Sequence, residues 1–120
     1  MTTFSLDLLA STGSALGAPV AKPIKWFVGK EEHSAQVYVR LSTYDQWMRE
    51  DELQKSGTDL WVARLMASIV DEAGNPVFTK PEQITGNPET GEGRLCGSLF
   101  FALLAAVNKA NGYVDDDVKN

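Results

Sequence analysis

The chain has 120 residues, 43% of them hydrophobic and 22% charged, with a net charge of -5 and a single cysteine. That balance fits one folded domain with one core and excludes a disordered chain, while the acidic surplus argues against a general nucleic-acid or anionic-membrane binder, because phosphate surfaces reward clustered Lys and Arg. One cysteine permits no internal disulfide, no apolar run approaches the ~18 residues of a membrane span, and the basic-then-apolar start of a signal peptide is missing, so the cytoplasm is the expected compartment.

Residues 1–20 open with Phe4, Leu6, Leu8 and Leu9 and thin into a Ser-, Gly- and Ala-rich link. The alternation at Phe4, Leu6 and Leu8 suits an edge strand, and an N-terminal arm docking on another subunit carries the same pattern; both readings stand. Residues 23–28, PIKWFV, are aromatic and β-branched without helical spacing, and residues 29–32 follow as a turn. Beyond it Ala35, Val37, Val39 and Leu41 alternate with Gln36, Tyr38 and Arg40, as in a strand with one face buried. The two segments predict an antiparallel hairpin whose apolar surface exceeds one buried face, marking Trp26, Phe27 and Tyr38 as contact residues.

Residues 43–56 predict a helix. Thr43 and Gln46 have the capping-box spacing, Tyr44, Trp47, Met48 and Leu53 form an apolar stripe, and Asp45, Arg49, Glu50, Asp51, Glu52 and Lys55 are expected in solvent. Trp47 adds to the candidate contact residues. Residues 58–79 are the most strongly patterned stretch. From Leu60 to Val70 only Arg64 and Ser68 are polar, so Val62, Leu65, Met66 and Ile69 predict a core face, Trp61 a core side chain, and Arg64 and Ser68 a shared solvent side. Thr58 or Asp59 suits the helix start, and Gly74, Asn75 and Pro76 form a stop, after which residues 77–79 return to the core as a short extended segment.

Residues 80–93 predict a loop in which Pro81 can start a helical turn. Residues 94–110 predict the last helix, with Cys96, Phe100, Leu103, Leu104 and Val107 on one broad side, Cys96 as a small buried hydrophobe, and Asn111-Gly112 as a left-handed cap. Phe101 and Leu104 flank the stripe that holds Phe100, so apolar residues fall on more than one side and both join the contact set. Residues 113–120 are expected to be an acidic flexible tail. The sum is an α+β domain over residues 21–112: a small N-terminal antiparallel β-hairpin packed with about three α-helices.

Chemistry-bearing constellations are sparse. His33 is the sole histidine and sits in a charged turn, where a solvated imidazole is expected. With one Cys and one His, a zinc site is excluded, and no cofactor is expected. Asp115 to Asp117 lack the alternating ligands and central Gly of a calcium loop, and Gly86 to Gly91 has the spacing of a phosphate loop but is followed by Glu92 where Lys is required. Glu50, Asp51 and Glu52 are consecutive on a helix and point apart, and Asp71-Glu72 sit at a helix end, so no carboxylate pair has convergent geometry. The surplus lies in large apolar side chains, which points to binding in place of catalysis.

The order of parts resembles the small tail assembly chaperones of long-tailed bacteriophages, of the lambda-like siphophage or prophage kind. The resemblance rests on W-x-A-R at Trp61 to Arg64, on D-E-x-G-x-P-x-F-T from Asp71 to Thr79, and on V-N-x-x-N-G from Val107 to Gly112, and extends loosely over residues 20–112. It implies a non-enzymatic protein of the infected host cytoplasm that binds the tape measure protein, recruits tail tube protein subunits, forms a homo-oligomer, contacts neither nucleic acid nor membrane, and leaves before the virion matures. A longer form made by ribosomal frameshift is common in that family. The competing expectation is a structural tail or head-tail joining subunit, and a small enzyme with a site built from distant carboxylates is the third.

Overall fold

A computed structural model describes residues 2–13, 17–91 and 93–113; of the acidic tail expected over residues 113–120, all but Tyr113 lies outside the described residues. The elements in chain order are α1 (Leu6–Thr12), β1 (Val20–Val28), β2 (Glu31–Val39), α2 (Tyr44–Lys55), α3 (Leu60–Ser68), β3 (Ile69–Val70), α4 (Glu82–Thr85) and α5 (Gly97–Ala110). This is an α+β fold: a three-stranded antiparallel sheet in the order β1-β2-β3, with three main helices and two short ones.

The hairpin forms as the alternation predicts, but β1 starts three residues earlier than expected, and β2 starts three earlier and ends two earlier, leaving Leu41 outside it. It pairs from Val20 opposite Val39 to Val28 opposite Glu31, leaving a two-residue turn. Gly29 opens that turn at φ 63, and no non-glycine residue has positive φ among the described residues, so Lys30 follows with negative φ. Left-handed glycine at the first central position matches the strand twist that tight hairpins need. Val20, Ile24 and Trp26 share the inner face with Val37 and Val39. Ala35 lies on that face yet stays exposed, because α5 packs chiefly against β1 and leaves β2 uncovered there.

Expected and observed structure part in three places. The Phe4 to Leu8 alternation gives no strand: Ser5 accepts the Leu8 amide through its hydroxyl, Gly13 closes the C-terminus in the left-handed region, and α1 lies between them. α3 stops at Ser68, well short of Gly74, because β2 offers an open ladder to the two β-branched residues that follow. Ile69 and Val70 turn extended and pair with Val39 and Tyr38, and the Arg40 amide donates to the Ser68 carbonyl at 2.8 Å. The residues expected to end the helix instead fold a small turn, with Asp71 accepting the Asn75 amide at 2.9 Å, Gly74 at φ 92, and Pro76 bridged to Val70. Residues 77–79 return to the core as expected, with Phe78 packed on it.

The third difference is in the last third of the chain. Pro81 starts α4, whose Ile84 is buried and whose carbonyl accepts the Leu95 amide, tying the loop to the core at both ends. α5 begins at Gly97, so Cys96 stands at its N-cap half-exposed and is not the buried hydrophobe expected. The left-handed residue after α5 is Gly112; Asn111 keeps ordinary dihedrals and uses its side chain, accepting from the Ser42 amide at 2.7 Å and donating to the Val107 carbonyl at 2.8 Å. One amide thus joins the end of α5 to the β2–α2 link. Leu65, Val39, Val107 and Ser68 are the most completely enclosed side chains.

Candidate interaction face

α2 and α3 run antiparallel and meet through polar side chains. Gln46 pairs with Ser68 at 2.8 Å, and one turn along, the Arg64 Nε donates to Glu50 Oε1 at 3.1 Å. Gln46 and Glu50 are four apart on α2, and Arg64 and Ser68 are four apart on α3, so the two pairs form consecutive rungs between facing stripes. With its amide nitrogen toward the Arg40 and Leu41 carbonyls, at 3.1 and 3.2 Å, Gln46 accepts from the Ser68 hydroxyl and every polar atom in the rung is served. Gln46, Glu50 and Ser68 are buried, at 4%, 5% and 0% exposure. This reverses two expectations: Glu50 is not in solvent, and Arg64 and Ser68 do not line an outer face.

The reversal turns the apolar stripe of α2 outward. Tyr44, Trp47 and Met48, at positions i, i+3 and i+4, are exposed, and only Leu53 of the predicted stripe packs on the core. Across the seam Leu60 and Trp61 are exposed as well, so Trp61 is not the core residue that its apolar neighbours suggested. Trp47, Leu60 and Arg64 line one shallow concavity of about 340 Å3, with the Glu50–Arg64 pair in its wall. The Arg64 guanidinium carbon also lies 5.6 Å from the Trp61 ring centroid, within cation–π range. On the rim Asp51 pairs with Lys55 at 2.9 Å, and that hydrogen bond and charge hold the Lys55 ammonium above its ordinary pKa. The result is a wet-edged aromatic face.

A second exposed cluster sits where the hairpin tip meets the start of α5. The Phe27 amide donates to Ser98 Oγ at 2.9 Å, and Phe27 and Val28 are half-exposed there. Phe101, one turn along α5 from Ser98, is 70% exposed with only an edge contact to Phe100. Of the six contact residues expected from sequence, Trp47, Phe27 and Phe101 are thus presented on two faces. Trp26, Tyr38 and Leu104 are half-buried: Trp26 and Leu104 pack on the core, Trp26 also stacks on His33 at 5.6 Å, and Tyr38 holds Gln36 through its hydroxyl. The His33 ring is consequently half-covered and not freely solvated. Tyr44, Met48, Leu60 and Trp61 escaped sequence reasoning. A signal existed for Trp61: Arg64 lies three residues on, on its own side of the helix.

Among the described residues no three His, Cys, Asp or Glu side chains converge as metal ligands, and no helix is long and apolar enough to cross a membrane. What the structure offers is exposed apolar surface beside a hydrogen-bonded polar seam. The family model described as phage tail assembly chaperone, TAC, matches residues 7–111. The chain belongs to that family. No curated protein and no solved structure matches it. The family match runs from within α1 to the residue after α5, so both helices of this chaperone's polar seam, the hairpin and the two exposed clusters all lie inside it. A chaperone of tail assembly works on other tail proteins, and the α2–α3 face presents exposed Tyr44, Trp47 and Trp61.

Proposed function

We propose that this chaperone binds the tape measure protein through the face formed by Tyr44, Trp47, Met48, Leu60 and Trp61, keeps its long apolar helices in solution in the host cytoplasm, and recruits tail tube subunits through the Phe27–Phe101 cluster, without catalysis. The observation that carries the reading is the outward α2 stripe beside an exposed Trp61. Trp, Tyr and Arg concentrate binding energy at interfaces because they bring large area at small entropic cost and one polar handle. Here Trp47, Trp61 and Arg64 gather along the α2–α3 seam, and Tyr44 and Met48 extend the exposed apolar surface on α2. A helix of the tape measure laid along that seam would cover the tryptophans and meet Arg64 and Lys55 at its edge. The second cluster is built from other elements, the hairpin tip and α5, so one copy offers a separate surface for each of two tail proteins.

The test is coexpression. Tape-measure fragments are expected to stay soluble with the parent chain and to precipitate when Trp47 and Trp61 are both changed to Ser, and the chaperone is expected to be missing from purified virions. A chain retained as a stoichiometric virion component would instead make it a tail or joining subunit.

A further inference from the structure

The N-terminal helix α1 is built with care and used for nothing within its own copy. Ser5 caps its start and left-handed Gly13 its end, yet no residue in it is buried, Phe4 and Leu6 are 73% and 81% exposed, and none of its leucines packs on the core. A seven-residue helix is too short to hold itself in water, so capping residues at both ends make sense only if a surface completes it. Elsewhere on the same chain lies an unfilled groove of about 370 Å3, bounded by Tyr38, Val70, Val77, Phe78, Leu99 and Leu103. Its lining is largely apolar, and Val77 at its mouth is 49% exposed. The open edge of β2 runs beside it. We infer that the α1 helix of one copy docks, through Phe4, Leu6 and Leu9, in this groove of a second copy.

Three observations favour a second copy over a foreign partner or the helix's own groove. Among the described residues each copy carries a short apolar helix with no core contact and an apolar groove with no occupant, so one can serve the other. No residue of α1 is fully buried and none packs on the core of its own copy, where Leu8 and Leu9 are only half-covered. Strand addition at the other sheet edge, the common alternative for self-association, is blocked on β1: Pro23 has no amide to give and Ser98 already holds that of Phe27. Each copy therefore has one donor and one acceptor, so contacts close into a pair by mutual exchange or run on head to tail. The inference does not depend on which tail protein the α2–α3 face binds.

The experiment uses the full chain at rising concentration in sedimentation velocity, beside Leu6→Asp/Leu9→Asp in the arm and Val77→Lys at the groove. The parent is expected to associate, and each variant alone to do so with a dissociation constant about tenfold or more higher, as when an apolar anchor becomes charged. Melting of the arm variant should match that of the monomeric parent, because no residue of α1 is fully buried and none packs on the core. Mixing the two variants should restore a one-to-one complex, since one intact arm then meets one intact groove. A disulfide between Leu9→Cys and Val77→Cys, made in a Cys96→Ser background from a mixture of isotopically light and heavy chains, should join light to heavy. Links confined to single chains, association undiminished in the arm variant, or a parent monomeric throughout would each overturn the inference.

Discussion

Glu50 and Arg64 meet at 3.1 Å across the seam of two antiparallel helices, with the carboxylate buried and the guanidinium reaching half into solvent over Trp61. The pair decides which way α2 faces. A helix with aromatic residues on one side and charges on the other would ordinarily bury the aromatics; here a buried carboxylate with a fixed partner, and a buried amide one turn away, hold the polar side in. The apolar side is thereby left exposed.

The pair should be asymmetric under mutation. Arg64→Met strands a buried carboxylate and is expected to cost about 3 kcal/mol, whereas Glu50→Gln keeps an acceptor for an arginine that retains its own access to water and should cost about 1 kcal/mol. Replacing both by leucine should recover much of the Arg64→Met loss, since no uncompensated charge remains. Urea denaturation of the four proteins measures all three differences. Equal losses for the two single variants would mean that the pair does not set the seam.

Leu65 is fully enclosed where α3 meets the sheet. Leu65→Ala should cost about 3 kcal/mol through lost transfer energy and the cavity left behind, with lower thermal stability and no effect specific to the outer face. Calorimetric melting read together with partner binding at a temperature where the variant is folded separates the two.

The Phe27–Ser98 hydrogen bond fastens the hairpin tip to the start of α5 at 2.9 Å. Ser98→Ala is expected to speed amide exchange at Phe27 by about tenfold, the loss of roughly one hydrogen bond, and to leave the exchange of Val39 unchanged. Residue-resolved hydrogen exchange reports both positions.

Much of this fold is legible in the residues. Alternation in 34–41 and the glycine after PIKWFV give the hairpin; Val62, Leu65 and Met66 give the core face of α3; Thr43 and Asp59 mark two helix starts, and both side chains accept the amides that capping requires. Pro81 marks a third. What escaped was tertiary. No local pattern shows that β2 has a vacant edge waiting for Ile69 and Val70, so the helix reads as running on. Nor does any local pattern show that Arg64 and Ser68 have partners on α2, and without partners polar residues are assigned to water. That single misassignment inverted the expected faces of α2 and placed Trp61 inside. Three of the six expected contact residues, Trp26, Tyr38 and Leu104, are half-buried because aromatic and branched residues look alike whether they fill a core or await a partner.

On the proposed function, the outward face of α2 and α3 binds the tape measure protein. Titration calorimetry of a synthetic apolar helical segment of the tape measure protein, into the parent chain and into Trp47→Ser/Trp61→Ser, tests it most directly. The parent should bind with heat, and the double variant should bind about a hundredfold more weakly, as the loss of two aromatic anchors implies, with its melting temperature unchanged because both rings are exposed in the free chain. Unaltered affinity in a folded double variant would contradict the claim.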